Sequence, residues 1–231
     1  MNSSHRANPE QFPSESGSLA FNGPAGLIEV IIDLPEPDQA RTATAIVCHP
    51  HPLQGGTLHN KVVTILARSL NELGLATVRF NFRGVGASTG SFDEGNGETE
   101  DLVALVDWVR LTRPKDDVWL AGFSFGSYVA LRAAAQVNAA QLIQIAPPVG
   151  RWDFDAIPRP SCPWLIVQGE SDEVVDPNAV FAWVEQLVPP PQMVRMPETG
   201  HFFHRRLMDL RGAVKNAVRE NLPPLRQPTA D

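Results

Sequence analysis

The chain has 231 residues, 43% of them hydrophobic and 19% charged, with a formal net charge of -7. These values fit one large soluble domain that can bury its own core without covalent staples. They weigh against a nucleic-acid binder, because no basic stripe is present to neutralise phosphates. Two cysteines, Cys48 and Cys162, are too few for a disulfide framework. Both sit in or beside apolar runs and read as buried, reduced thiols, which fits a cytoplasmic setting. No apolar run reaches the ~20 residues of a membrane helix. Segment 1–18 is polar, carries Pro and Ser, and lacks the apolar centre of a secretory signal. It is expected to be a mobile arm, and the Pro-rich segment 223–231 a mobile tail. The domain is placed at 19–222.

Within those bounds, strand-like and helix-like runs alternate. Residues 19–34 read as a hairpin around the turn Asn22-Gly-Pro-Ala-Gly26, and 42–49 as a buried strand. Residues 60–74 form a helix: Asn60 can cap it, Val63, Leu66, Ala67 and Leu70 line one face, and Gly74 suits its end. A strand at 75–82 follows, then a helix at 98–112 with acids in its first turn, where the dipole favours them. Next come a strand at 117–123, a helix at 127–137, and strands at 141–148 and 162–169. A helix at 178–188, a strand at 192–198 and a closing helix at 208–221 complete the chain. Strands regularly separated by helices imply an α/β fold, a mostly parallel sheet covered on both faces. Ligands bind such sheets at the carboxyl ends of the strands. The residues that carry chemistry fall at those ends.

The first is Ser124, in Gly122-Phe-Ser-Phe-Gly126, where the strand at 117–123 runs straight into a helix. A sharp strand-to-helix turn pushes its apical side chain out of the sheet and demands small residues where the two backbones converge. The pattern is the G-x-S-x-G nucleophile elbow in its required context. The same serine lies at a helix N-terminus, where backbone N–H groups can stabilise an oxyanion. As an alternative, Ser124 could be an ordinary cap.

A serine hydroxyl needs a base. Of the six histidines, His201 follows Gly200 in a loop just past the last strand, whereas His204, nearer the final helix, reads as a surface or capping residue. His201 is therefore the expected base. The base needs a carboxylate to fix its tautomer. Asp172 lies in the loop after Gly169, while Asp176 stands before Pro177 as a natural helix cap. Asp172 is the expected partner, giving the chain order Ser, Asp, His.

Here the sequence resembles the α/β-hydrolase superfamily, over nearly all of 19–222. A family loop of the form D-x-R-G-x-G-x-S has its counterpart in Asn81-Phe-Arg83-Gly84-Val-Gly86-Ala-Ser88, with Asn81 in place of Asp. The segments HPHPLQGGTLHNKVV, NFRGVGASTGSFDEGNGE, GFSFGSYVALRAA and GHFFHRR resemble a small, largely uncharacterised bacterial group of serine hydrolases without a lid domain. The resemblance implies the α/β-hydrolase fold and the triad Ser124, Asp172 and His201.

Acyl transfer needs two donors aimed at the developing oxyanion. One is expected from the backbone N–H of Phe125, the other from the loop 49–56. Pro50 and Pro52 have no N–H, so the choice falls on His51, ahead of Leu53. His49, His51 and His201 also raise the question of a metal, but no H-E-x-x-H, Cys pair or matching carboxylate accompanies them, and none is expected. His49 is placed in the wall of a substrate pocket or in a loop-stabilising hydrogen bond. Trp152 and Phe154 are placed either in the acyl pocket or in the core. The acidic run Asp93, Glu94, Glu98, Glu100 and Asp101 reads as helix capping and a solvated face, with contact to a cationic substrate as the alternative.

The connection between the apolar runs Leu142–Ala146 and Trp164–Gln168 of these strands is short for a lid, at about 18 residues against typical loops of 2–6. An open site favours small or extended soluble esters or thioesters, cleaved through an acyl-enzyme. A peptidase or amidase of the same fold, and a noncatalytic binding protein on a hydrolase scaffold, are the alternatives. No cofactor, nucleic acid or membrane partner is implied. The sequence leaves the oligomeric state open.

Overall fold

The computed structural model describes residues 8–227. The chain begins with a hairpin, β1 (Gly17–Gly23) and β2 (Gly26–Asp33), followed by β3 (Ala43–Cys48), α1 (Lys61–Asn71) and β4 (Ala76–Phe80). Then come α2 (Asn96–Thr112), β5 (Asp117–Phe123), α3 (Phe125–Gln136) and β6 (Gln141–Ile145). The series ends with β7 (Trp164–Gly169), α4 (Pro177–Glu185), β8 (Gln192–Met196) and α5 (Leu207–Ala217). All the strands join one 8-stranded sheet, ordered β1-β2-β4-β3-β5-β6-β7-β8. Only the pairs β1–β2 and β2–β4 are antiparallel; β4, β3, β5, β6, β7 and β8 run parallel. The fold is that of an α/β-hydrolase, as expected.

The strand alternation decides which helices cover which face. Along β5, Val118 and Leu120 point to one side, into a core shared with α2, α3 and Trp183 of α4. Trp119, Ala121 and Phe123 point to the other, into a core shared with α1 and α5. Both faces are buried, so the central strands are mainly apolar, with buried Thr44, Arg79, Gln144 and Gln168 among the exceptions. Each large side chain so buried contributes roughly 1.5–3 kcal/mol.

Local signals set the element ends. Asn60 Oδ1 accepts the Val62 N–H at 2.9 Å and caps α1, as expected. Helix α2 begins before the residue 98 read from its pattern: the Glu98 carboxylate reaches back to the N–H groups of Asp93 and Gly95, at 2.9 and 2.8 Å, and closes the first turn. The closing helix is shorter than expected, with α5 ending at Ala217 and a separate 3-10 turn at Arg219–Asn221.

The expected arm and tail need correction where they are described. Pro9 carbonyl accepts the Trp108 Nε1–H at 2.9 Å, Phe12 stacks on Trp108 at 5.1 Å, and Ser16 Oγ accepts the Leu34 N–H at 2.8 Å. Residues 8–18 are thus laid on the body, because their two aromatic and backbone anchors meet an exposed edge of α2. At the other end, Pro224 carbonyl accepts the Thr42 N–H at 3.1 Å, and Arg226 pairs with buried Asp116. Positions 1–7 and 228–231 lie outside the described residues.

Candidate active site

Ser124 is held at the junction of β5 and α3 with φ 53° and ψ -123°. A non-glycine residue there carries strain of order 1–3 kcal/mol, which the surroundings must overcome. They do so with a Ser124 N–H to Ile145 carbonyl bond of 2.8 Å and with the Ser127 N–H and Oγ–H on the Ser124 carbonyl, at 2.8 and 2.6 Å. The flanking glycines are required by close approach: a Cβ on Gly122 would collide with the Gly126 carbonyl, and one on Gly126 with the carbonyls of Cys48 and His49.

His201 arrives on the loop after β8. Its Nε2 lies 3.1 Å from Ser124 Oγ and its Nδ1 lies 2.8 Å from Asp172 Oδ2. The imidazole is buried between Phe123, at 5.0 Å, and Phe202, which meets it edge-on at 5.1 Å. Its backbone N–H donates to Glu173 Oε2 at 3.0 Å, which fixes the loop. Asp172 follows β7. Its Oδ1 accepts the N–H groups of Val174 and Val175, at 2.9 and 2.7 Å, and its Oδ2 also accepts from Gln168 Nε2 at 3.0 Å. Burial pushes the Asp172 carboxyl up, but the hydrogen bonds from His201 and Val175 outweigh it and hold the group below its ordinary value. Ser124, His201 and Asp172 therefore form one continuous chain of hydrogen bonds. Asp176 stands apart from it: its Oδ1 accepts the Asn178 N–H at 2.9 Å and caps α4, with Pro177 in the first turn. His204 is exposed in the turn before α5.

A cavity of about 120 Å³ opens over Ser124, bordered by His51, Phe125, Trp152 and His201. Among the described residues no acceptor takes the backbone N–H of Phe125 or of His51. The His51 loop is tightly wound: the His51 carbonyl accepts from Gln54 and Gly56, at 3.1 and 3.0 Å, and the His51 Nδ1 accepts the Leu53 N–H at 3.2 Å. The His51 ring packs against Phe92, Phe125 and Trp152 at 4.8, 5.2 and 5.7 Å. Burial lowers its pKa, with Glu98 opposing and Arg151 reinforcing the shift.

For two residues the pocket alternative gives way to the other: Phe154 is core, and His49 stabilises a loop. Phe154 does not border the cavity; it is buried against Tyr128 and Trp183, at 5.4 and 5.2 Å. His49 is fully buried beneath it, where its Nδ1–H donates to Pro50 carbonyl at 2.7 Å and its Nε2 accepts the Phe82 N–H at 2.9 Å. It thereby ties the loop after β3 to the loop after β4, and burial lowers its pKa to about 4. Trp152 does border the cavity.

The acidic run is structural. Glu98 and Asp93 cap α2, and Asp101 receives Arg83 through two bonds of 2.8 Å. Asn81 has a local reason for not being an aspartate. Its Nδ2 donates to Glu29 Oε2 at 2.7 Å, and its Oδ1 accepts the Leu58 N–H at 2.8 Å. A carboxylate at 81 would face another carboxylate.

Sequence reasoning passed over Gln168, Arg151 and Phe202. Gln168 is an amide in a buried strand, a signal that could have been read, since buried polar groups need partners. Arg151 sits beside Trp152, and Phe202 beside His201; both border the cavity.

Comparison with known proteins bears on the fold and the family. Residues 53–148 match the family model of the alpha/beta hydrolase fold. The solved structure of XC6422 from Xanthomonas campestris, described as a member of a/b serine hydrolase without lid, is 57% identical, with 95% of this chain and 100% of that chain covered and a TM-score of 0.91. An alpha-beta serine hydrolase homologue from Coxiella burnetii is 48% identical over 89% of this chain and 99% of that chain, with a TM-score of 0.86. The uncharacterized protein RP471 of Rickettsia prowazekii (strain Madrid E) is 35% identical over 176 residues, 73% of this chain and 72% of its own length.

Proposed function

The chain belongs to the α/β-hydrolase family, among its lidless serine hydrolases, and from that premise we propose that it cleaves small or extended soluble esters or thioesters through an acyl-enzyme on Ser124. The observation that carries this reading is the hydrogen-bonded series Ser124 Oγ, His201 Nε2, His201 Nδ1 and Asp172 Oδ2, at 3.1 and 2.8 Å.

In this reading the Nδ1–H of His201 donates to Asp172, which leaves the Nε2 lone pair free for the Ser124 proton. As Oγ forms its bond to the carbonyl carbon, the π pair moves to oxygen. The N–H groups of Phe125 and His51 receive that oxyanion; removing one such donor typically costs about 10²–10³ in kcat. Collapse of the adduct breaks the bond to the alkoxide or thiolate, which leaves with the proton from His201. A water molecule then repeats the sequence: His201 takes its proton, the acyl–Oγ bond breaks, and Ser124 regains its hydrogen.

The connection from β6 to β7 holds no helix and no strand of the sheet, only a bridge between Val149 and Trp152. With no cover, the cavity meets solvent directly, which supports soluble substrates. Trp152 is assigned to the acyl side. Residues 19–222 contain every group the reaction uses. Among the described residues no helix is long and apolar enough to cross a membrane, and both cysteines are free thiols, which supports a cytoplasmic location.

The reading is tested by turnover of p-nitrophenyl esters, acyl-thioesters and aminoacyl amides by the wild type and Ser124→Ala. Esters or thioesters are expected to be turned over by the wild type only. Turnover of amides alone would overturn the substrate class, and an active Ser124→Ala would overturn the nucleophile.

A further inference from the structure

We propose that Arg151 reads an anionic group on the substrate, so that the preferred esters carry a carboxylate or phosphate a few atoms from the scissile bond. The inference rests on the esterase reading above and concerns its substrate class.

The argument begins with charge. The protein is net negative, at -7, yet among the described residues no Asp or Glu borders the cavity over Ser124, and Arg151 is the one Lys or Arg that does. The acids near it in sequence, and Glu98, which faces His51, already have other donors: Glu98 accepts the N–H groups of Asp93 and Gly95. Asp172 and Glu173 serve His201. Asp153 accepts the Ala156 N–H at 3.1 Å, and Asp155 accepts the Trp183 Nε1–H at 3.2 Å. Among the described residues, Arg151 has no ion-pair partner, and its one hydrogen-bond acceptor for the side chain is the Val174 carbonyl, at 2.6 Å from Nη2.

That bond also fixes where the charge lies. Val174 borders the same cavity, and its N–H holds Asp172. The backbone of Arg151 is tied in turn, its N–H donating to Pro148 carbonyl at 3.1 Å. An arginine has five N–H donors, so a guanidinium anchored by one nitrogen at the rim of the site keeps others for a ligand. Planar guanidinium groups match carboxylate and phosphate oxygens, and such charge-assisted bonds are about twice as strong as neutral ones. The cavity, about 120 Å³, is small. A short chain between ester and anion suits that space.

The test compares matched substrates on the whole protein. p-Nitrophenyl hemiglutarate is set against p-nitrophenyl valerate for a carboxylate on the acyl side. The butyrate ester of 2-hydroxyethyl phosphate is set against that of ethylene glycol for a phosphate on the alcohol side. In at least one pair the wild type should favour the anionic member in kcat/KM, and the pair that does so identifies the source of the anion. In Arg151→Gln, which keeps a donor for the Val174 carbonyl, that anionic-to-neutral ratio should fall about tenfold; in Arg151→Glu it should fall further. The wild-type preference should weaken in 0.5 M salt, where the Debye length is only a few Å. No anionic preference in either pair, or a preference that survives Arg151→Gln, would overturn the proposal while leaving the esterase reading intact. Failure of every ester, neutral ones included, would overturn the proposal and confine the reading above to thioesters.

Discussion

His201 Nδ1 and Asp172 Oδ2 lie 2.8 Å apart, and the same carboxylate oxygen also takes the amide of Gln168 at 3.0 Å. With the other oxygen filled by the N–H groups of Val174 and Val175, Asp172 is an acceptor on every side. It can hold only the tautomer of His201 that donates from Nδ1.

Asp172→Asn replaces an acceptor by an amide that must present N–H to at least one existing donor. We expect a folded protein with kcat lower by about 10⁴, a magnitude drawn from the serine-protease case. Asp176→Asn keeps a competent cap and should be active and nearly as stable. Measuring kcat and melting temperature for both variants checks this. An active Asp172→Asn beside an inactive Asp176→Asn would exchange the two roles.

Gln168 acts on the reaction only through Asp172, so it is a positioning residue. Its Oε1 is buried without a partner, and Gln168→Leu removes that unsatisfied atom along with the donor to Asp172. The variant also loses the bond from Nε2 to the Gly169 carbonyl at 3.1 Å, and the lost bond to a charged group should lower stability by about 1.5–3 kcal/mol at most. With Asp172 held less firmly, His201 is less well aligned on Ser124, so kcat should fall about tenfold with KM nearly constant. A rise in KM with kcat unchanged would contradict the assignment.

His49 gives the protein an acid-sensitive joint. Its folded pKa, about 4, lies below the ordinary 6.5, so between those values the unfolded chain binds the extra proton. Stability is present in full above pH 6.5 and is lost as pH falls through 4, by about 3 kcal/mol in all. Urea unfolding at pH 7 and 4.5 should show this loss in the wild type. His49→Gln should be less stable at pH 7, having lost bonds to Pro50 and Phe82, but should lose less between the two pH values. Equal losses would assign the acid sensitivity elsewhere.

The alternation of strands and helices is legible because central strands buried on both faces leave short, mainly apolar runs, broken at few positions such as Arg79 and Gln144. Ser124 is legible because a strand pattern and a helix pattern meet at a single serine between glycines. Asp172 and Asp176 can be told apart because only one precedes a proline. The limits are equally physical. Trp152 and Phe154 are indistinguishable as aromatic residues of one loop; their separation is made by Tyr128 and Trp183, which enclose Phe154 from other elements. His49 reads as a site histidine because its burial depends on the loop after β4, distant in sequence. The inner part of the polar arm escapes notice because its anchors, Pro9 and Phe12, meet Trp108 on α2.

The open cavity makes a kinetic prediction. Phe202 at its border remains 54% exposed, and among the described residues the connection from β6 to β7 supplies no helix to cover it. Activity on a short ester should rise hyperbolically with concentration and show no jump at the solubility limit. A sharp increase at an oil–water interface would require a moving cover that this fold does not contain.

The central claim is that Ser124 alone is activated by His201. Its most direct test is peptide mapping by mass spectrometry after reaction with a fluorophosphonate, for the wild type and for Ser124→Ala. The account predicts one adduct, on the peptide containing Ser124, and none in the variant. An adduct on Ser88 or Ser127, or labelling that persists in Ser124→Ala, would contradict it.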